Sequence, residues 1–313
     1  MLTVLLATRN RAGLLGEVLE SFCRLEEPPS GWKLVVVDNG STDATPRVLS
    51  SFHGRLPLQA AHEPQPGKNS ALNAGLRLLQ GDLAVFTDDD VFPHADWLVH
   101  LRRAADAHPA HSIFGGVVVP RWEIPPPRWV GWVDMGPIFT ISPPWIREGE
   151  LPPDLIPLVF GPNMAVRSDV FRSGTRFDPS IGPCGSSYAM GSETELLLRL
   201  ARQGHRAWHV SGAVTEHFVR AEQLERDWIL RRALRWGRGN QRLWPATHYW
   251  FGIPRHVFRD LPMEGLAMAA AWVARRERDL FRSHWQFNFL LGHALESWKT
   301  ANGERAPTKR PPG

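Results

Sequence analysis

The hexapeptide Phe86-Thr87-Asp88-Asp89-Asp90-Val91, at the end of the apolar run Leu83-Ala84-Val85-Phe86, decides how this chain is read. A short apolar run preceded by Gly81 predicts a buried strand. Three carboxylates at the end of such a strand repel one another unless a cation or hydrogen-bond donors sit among them. The alternate pair, Asp88 and Asp90, can share one divalent ion with diphosphate oxygens, because hard cations such as Mg²⁺ take oxygen ligands. The competing reading is an acidic turn in which one Asp caps a helix starting near Ala95.

Working outward, residues 2 to 119 alternate strand and helix. Leu2–Ala7 reads as a strand, Thr8-Arg9-Asn10-Arg11 as the loop at its carboxyl end. A helix follows with Leu14, Leu15, Val18, Leu19 and Phe22 on one face. Leu34–Val37 is a second strand, left through Asp38-Asn39-Gly40-Ser41-Thr42-Asp43, and a third lies near Leu58–Ala61. The loop Glu63-Pro64-Gln65-Pro66-Gly67 then leads into a helix from about Asn69 to Leu79. This order predicts an α/β fold, a mostly parallel sheet flanked by helices, with ligands beyond the carboxyl ends of its strands. At that edge Asp38 can accept a hydrogen bond from a nucleotide base, with Thr8 and Arg11 lining the same pocket. Arg9, Arg11 and Lys68 can approach phosphates. Ordinary turn chemistry competes as the reading of residues 39–43.

The 313 residues carry a net charge of +4 and a sequence pI near 9.5, which suits anionic small molecules or an anionic membrane and does not by itself indicate nucleic acid. Cys23 and Cys184 form no metal pattern and no disulfide framework. The stretch Met1–Ala7 is too short for a signal peptide, and no run of 18 apolar residues occurs, so a cytoplasmic location is expected. No P-loop, His-Glu-x-x-His or serine nucleophile elbow points to another enzyme class.

The motifs Ala-Thr-Arg-Asn-Arg, Val-Val-Asp-Asn-Gly-Ser-Thr-Asp, Asn73-Ala74-Gly75 and Thr-Asp-Asp-Asp, in this order and spacing, resemble the family 2 inverting glycosyltransferases with the GT-A fold. The resemblance covers roughly residues 2 to 220. It implies metal-dependent transfer of a sugar from a nucleotide-diphosphate sugar (UDP-sugar favoured, GDP-sugar the alternative) to a hydroxyl of a glycan or lipid-linked acceptor, in polysaccharide or glycoconjugate biosynthesis. By matching motif, Asp38 contacts the base, Asp88 and Asp89 lie at the sugar nucleotide, and Asp90 is the direct ligand of Mn²⁺ or Mg²⁺. Val159–Val166 looks like the segment beneath the acceptor pocket, which would place Asn163 at the site, the alternative being a structural amide. Where the family usually has Gly-Glu-Asp, this chain has Gly191-Ser192-Glu193, making Glu193 the catalytic base and Glu195 the reserve. Glu-His at 216–217 resembles the segment whose His is the second metal ligand, here His217. The alternatives are an inactive nucleotide-sugar or glycan-binding protein of the same fold, suggested by the Ser192/Glu193 departure, and a sugar nucleotidyltransferase, which Thr8-Arg9-Asn10-Arg11 disfavours by lacking glycines.

Two further regions are expected. Between Pro120 and Pro157, prolines and Trp122, Trp129, Trp132 and Trp145 read as either an acceptor platform or a pinned irregular loop. Gly182–Tyr188 is a candidate loop for closing over the donor. The last third is helical and basic: an interfacial membrane helix or a helical cap, with Arg235, Arg238 and Gly239 candidates for approaching diphosphate or acceptor. The domain expectation is 1–220 catalytic (1–119 nucleotide-sugar part, 120–220 acceptor part), 221–302 a helical extension, and 303–313 a disordered tail. Peripheral contact with an anionic membrane, on its inner face, completes the expected partners.

Overall fold

The computed structural model describes residues 1–185 and 188–303. Ser186 and Ser187, in the expected closing loop, and nearly all of the expected disordered tail lie outside the described residues. The chain forms two compact units: 1–121, 139–179 and 192–219 in the first, and 122–138, 180–191 and 220 onward in the second.

The first unit begins β1 (Leu2–Thr8), α1 (Ala12–Phe22), β2 (Trp32–Asp38), α2 (Thr45–Ser51), β3 (Leu58–His62), α3 (Lys68–Gly75) and β4 (Leu83–Phe86). After the acidic turn come β5 (Val91–Pro93), α4 (Trp97–Ala107) and β6 (Ile113–Trp122). After a short α5 (Met135–Phe139), of which only Phe139 belongs to this unit, come β7 (Gly149–Leu151), β8 (Met164–Arg167), α6 (Ser168–Arg172), α7 (Ser192–Arg202) and β9 (Ala207–Val219). Strands β3, β2, β1 and β4 are parallel neighbours; β8, β6, β9 and β5 continue the sheet, and β7 pairs β9. The β4–β8, β6–β8, β5–β9 and β7–β9 pairings are antiparallel, so the parallel arrangement is confined to the N-terminal half.

The central strands are apolar on both faces because both are covered. Leu2, Val4 and Leu6 of β1 join one buried cluster with α1 and α4, whereas Leu5 joins the other with α3, α6 and α7. Trp32, Leu34 and Val36 of β2 divide from Val35 and Val37 in the same way, the two-residue alternation of a strand.

In the second unit α8 (Arg226–Leu243), a hairpin of β10 (Tyr249–Trp250) and β11 (Ile253–Pro254), α9 (Arg255–Val273) and α10 (Glu277–Ala301) follow one another. α10 packs on both α8 and α9. Three arginines of α8 are paired within the unit: Arg238 donates to Glu296 at 2.8 Å, Arg242 also meets Glu296, and Arg226 pairs with Glu277. The Arg226 guanidinium lies over Trp129 and Trp132, whose rings also meet Phe281 edge-on. These two tryptophans of the proline-rich segment therefore pin it within the unit. Arg238 is buried on its ion pair, and a Cβ on Gly239 would strike the Met190 carbonyl.

His293 of α10 is buried with no hydrogen-bond partner for either ring nitrogen among the described residues. Burial, reinforced by His256, pulls its pKa down to about 4. A histidine kept neutral in the fold but free to protonate when unfolded leaves stability intact above ~6.5 and erodes it as pH falls toward that lowered value. His293→Leu is therefore expected to lose about 2 kcal/mol less than wild type between pH 7 and pH 5, measured by urea unfolding. Parallel losses in both proteins would contradict this.

Candidate functional site

Strand register assembles the site. The parallel pairing sets Thr8 opposite Asp38, and Leu5 opposite Phe86, so the loops after β1, β2 and β4 leave one edge together. They are knitted there: Asn10 accepts the Thr42 N–H at 2.7 Å, and Ser41 N donates to Asp38 at 2.9 Å. Asn39 accepts from Gly67 N at 2.8 Å and donates to the Glu63 and Gln65 carbonyls. Gly67, with φ +124°, adopts a backbone that only glycine takes readily, and α3 starts directly after it with Lys68.

Lys68 is the hub. Its Nζ lies 2.6 Å from Asp88 and 2.8 Å from Glu193, on the first turn of α7. Burial alone would pull the Lys68 pKa down, but the two carboxylates outweigh it and push it up. Burial pushes Asp88 up, opposed by Lys68 and assisted by Glu193 and Asp90. Burial and Asp90 push Asp89 up to about 7, against the pull of Arg11 and of the 2.7 Å hydrogen bond donated by Thr8. The Arg11 guanidinium stands 4.0 Å from Asp90.

The antiparallel half brings the imidazole. Val91 pairs with His217, and Phe218 N donates to the Asp90 carbonyl, which sets His217 beside Asp90. His217 Nε2 is 3.5 Å from Asp90 Oδ1, and its Nδ1 lies 2.5 Å from the Phe139 carbonyl. With the proton on Nδ1 directed at that carbonyl, the Nε2 lone pair faces the carboxylate, the orientation of a metal-ligating histidine with a second-shell acceptor. Burial pulls the His217 pKa down, but Asp90 prevails and holds it above the usual value. Carboxylate and imidazole donors without a thiolate fit Mn²⁺ or Mg²⁺. Among the described residues no three His, Cys, Asp or Glu converge to enclose an ion.

Asn163 takes the structural-amide alternative. It is fully buried, its amide donates to the Val117 and Ala213 carbonyls at 2.9 and 2.8 Å, and its oxygen accepts from the Trp97 indole at 2.9 Å. It is a strut between β6, β9 and α4, and its polar atoms are used there. Glu195 is likewise committed, both oxygens held by Arg199 at 3.0 and 2.8 Å. The structure brings Glu193, not Glu195, to the aspartates. Arg9 is exposed on the β1 loop, away from the ion pairs described.

Three contributors were not anticipated. The Phe139 carbonyl orients His217. Gly161 seats Glu193, since a Cβ there would lie 2.6 Å from Glu193 Oε1. Ser192, the departure from the usual motif, bonds Asn69 and fixes the start of α7. Only Gly161 and Ser192 stood in motifs already singled out; the Phe139 carbonyl has no sequence signal.

The description "Glycosyl transferase family 2" belongs to a family model that matches residues 3–175. A beta-monoglucosyldiacylglycerol synthase of Nostoc sp. is 29% identical over 103 residues, 32% of this chain and 22% of that one. A glucosyl-dolichyl phosphate glucuronosyltransferase of Haloferax volcanii is 24% identical over 212 residues, 64% of each chain. The chain thus spans less than two thirds of either relative. A Pyrobaculum calidifontis mannosyltransferase, solved in complex with GDP-Man and Mn²⁺, superposes with a TM-score of 0.65 at 21% identity, covering 95% of this chain and 86% of that one; the likeness is one of fold.

Replacing Lys68 leaves Asp88 and Glu193 facing each other. Lys68→Met is expected to cost roughly 3–5 kcal/mol at pH 7. The cost should shrink as pH falls, because protonating Asp88, already pushed up, removes the repulsion. Urea unfolding at pH 7 and pH 5 checks this, and a pH-independent loss would contradict it.

Proposed function

The chain belongs to glycosyl transferase family 2, and from that premise we propose that it moves a sugar from a nucleotide-diphosphate sugar to an acceptor hydroxyl with inversion at the anomeric carbon. The observation that carries this reading is the single carboxylate of Glu193, held by Lys68 against the aspartates at the carboxyl edge of the sheet.

In this reading Asp38, Thr8 and Arg11 form the nucleotide end of the site, and Asp88 and Asp89 the sugar end. Glu193 takes the proton of the acceptor hydroxyl while the hydroxyl oxygen forms a bond to the anomeric carbon. The bond from that carbon to the diphosphate oxygen breaks, and its electron pair leaves with the nucleoside diphosphate. Lys68, 2.8 Å away, holds Glu193 in place. Asp90 and His217 would hold Mn²⁺ or Mg²⁺, which when bound neutralises charge on the leaving diphosphate. The GDP-Man and Mn²⁺ of the Pyrobaculum enzyme support a nucleotide-sugar donor and a divalent cation here. A UDP- or GDP-sugar donor, a glycan or lipid-linked acceptor, and peripheral contact with an anionic membrane are parts of the same proposal. The retained carboxylates Asp88, Asp90 and Glu193 favour turnover over a binding-only role.

The test is release of nucleoside diphosphate from a panel of sugar nucleotides, with glycan and lipid-phosphate acceptors. Glu193→Gln should lose about 10²–10⁴-fold in kcat with the donor KM nearly unchanged, the usual contribution of a general base. Glu195→Gln should lose far less. The reverse ranking would assign the base to Glu195, and full activity of Glu193→Gln would overturn the mechanism.

A further inference from the structure

Eleven of the fourteen large apolar side chains left exposed among the described residues lie between Trp244 and Trp298, in the second unit. Their centre is α9. It packs on α10 and β11, burying Val257 and Ala271, and its outer side presents Phe258, Met263, Leu266, Trp272 and Val273. Leu266 and Trp272 are each 72% exposed. Between Arg259 and Arg275 the only charged side chains are Asp260 and Glu264, both partly withdrawn from solvent, and Asp260 is paired with Arg259. Arg255 and Arg259 at one end, and Arg275 and Arg276 at the other, are exposed.

The hairpin before α9 adds an aromatic tip. Phe251 is 95% exposed and holds φ +48°, a left-handed conformation uncommon for an aromatic residue. Beside it Trp250 packs 5.9 Å from Phe258, under the Arg255 guanidinium.

We propose that this face docks on an anionic lipid bilayer, with α9 lying in the headgroup plane, its apolar stripe and Phe251 entering the acyl boundary, and the arginines at its two ends on lipid phosphates. The proposal names the surface and the lipid charge for the membrane contact above. It rests on that part of the reading alone, and not on the transfer chemistry. The stripe from Asp260 to Ala274 is about 22 Å long at 1.5 Å per residue, and no helix among the described residues is long and apolar enough to cross a membrane, so the helix lies on the surface. Charge selects the occupant. A second copy paired by a two-fold axis would lay arginine ends against arginine ends in either helix direction, whereas anionic phosphates satisfy both ends at once. Of the arginines of α8, Arg226, Arg238 and Arg242 are tied to Glu277 and Glu296.

The test is co-sedimentation of the full chain with phosphatidylcholine vesicles, with and without phosphatidylglycerol, at low and high salt. Binding should require phosphatidylglycerol and weaken with salt. Arg275→Gln and Arg276→Gln should each lower partitioning about fivefold, and Leu266→Asp with Phe251→Ser should abolish it. Melting temperatures should stay unchanged because these side chains are exposed. Absence of binding to anionic vesicles, or undiminished binding by Leu266→Asp with Phe251→Ser, would overturn the proposal. So would a concentration-dependent dimer that Leu266→Asp dissociates, which would give the face to a second copy. Nucleoside diphosphate release in the same samples reports on the first unit, so failure of the dock and failure of the transferase reading are distinguishable.

Discussion

One ammonium, shared between two carboxylates, holds the candidate site together. Lys68, immediately after the glycine that starts α3, meets Asp88 from the end of β4 and Glu193 from the start of α7. Without it, two carboxylates would face each other in a half-buried space and repel one another. With it, the two share one cation between them. Asp89 and Asp90 stand beside it, met by Thr8, Arg11 and His217 among others.

The geometry behind that interaction is a change of strand direction. The parallel half gathers three loops at one edge, as open α/β sheets do. The antiparallel half then returns β9 beside β5, and the pairing of Val91 with His217 delivers an imidazole to the last aspartate of the triplet. Neither half alone makes the site.

The legible and illegible parts divide along the same line. The runs Leu2–Ala7, Leu34–Val37 and Leu83–Phe86 were readable because each is apolar throughout and stopped by a polar loop, and the structure extends them by at most two residues at either end. The strands β5 and β8, three and four residues long, are too short to carry a periodic signal, so the antiparallel half was not foreseen. Lys68 was read as a phosphate group's partner. Its engagement with Glu193 spans 125 positions and has no local trace. Asn163 stands in a motif of the family yet serves as an internal strut, which shows that a motif position does not fix what a side chain touches. In the second unit Arg226, Arg238 and Arg242 of the arginine-rich α8 are held in ion pairs, and α9, apolar from Leu266 to Val273 and followed by Arg275-Arg276, carries the exposed apolar stripe.

The central claim is that Asp90 and His217 form half of a cation site that a nucleoside diphosphate completes. Calorimetric titration of Mn²⁺ in the absence and presence of UDP and GDP tests it most directly, with wild type beside Asp90→Ala. The account predicts weak Mn²⁺ binding alone and much tighter binding with one of the nucleotides. Mn²⁺ should strengthen nucleotide binding by the same factor, as linkage requires, and the coupling should vanish in Asp90→Ala. Nucleotide bound equally well in chelator, or coupling that survives the substitution, would contradict it.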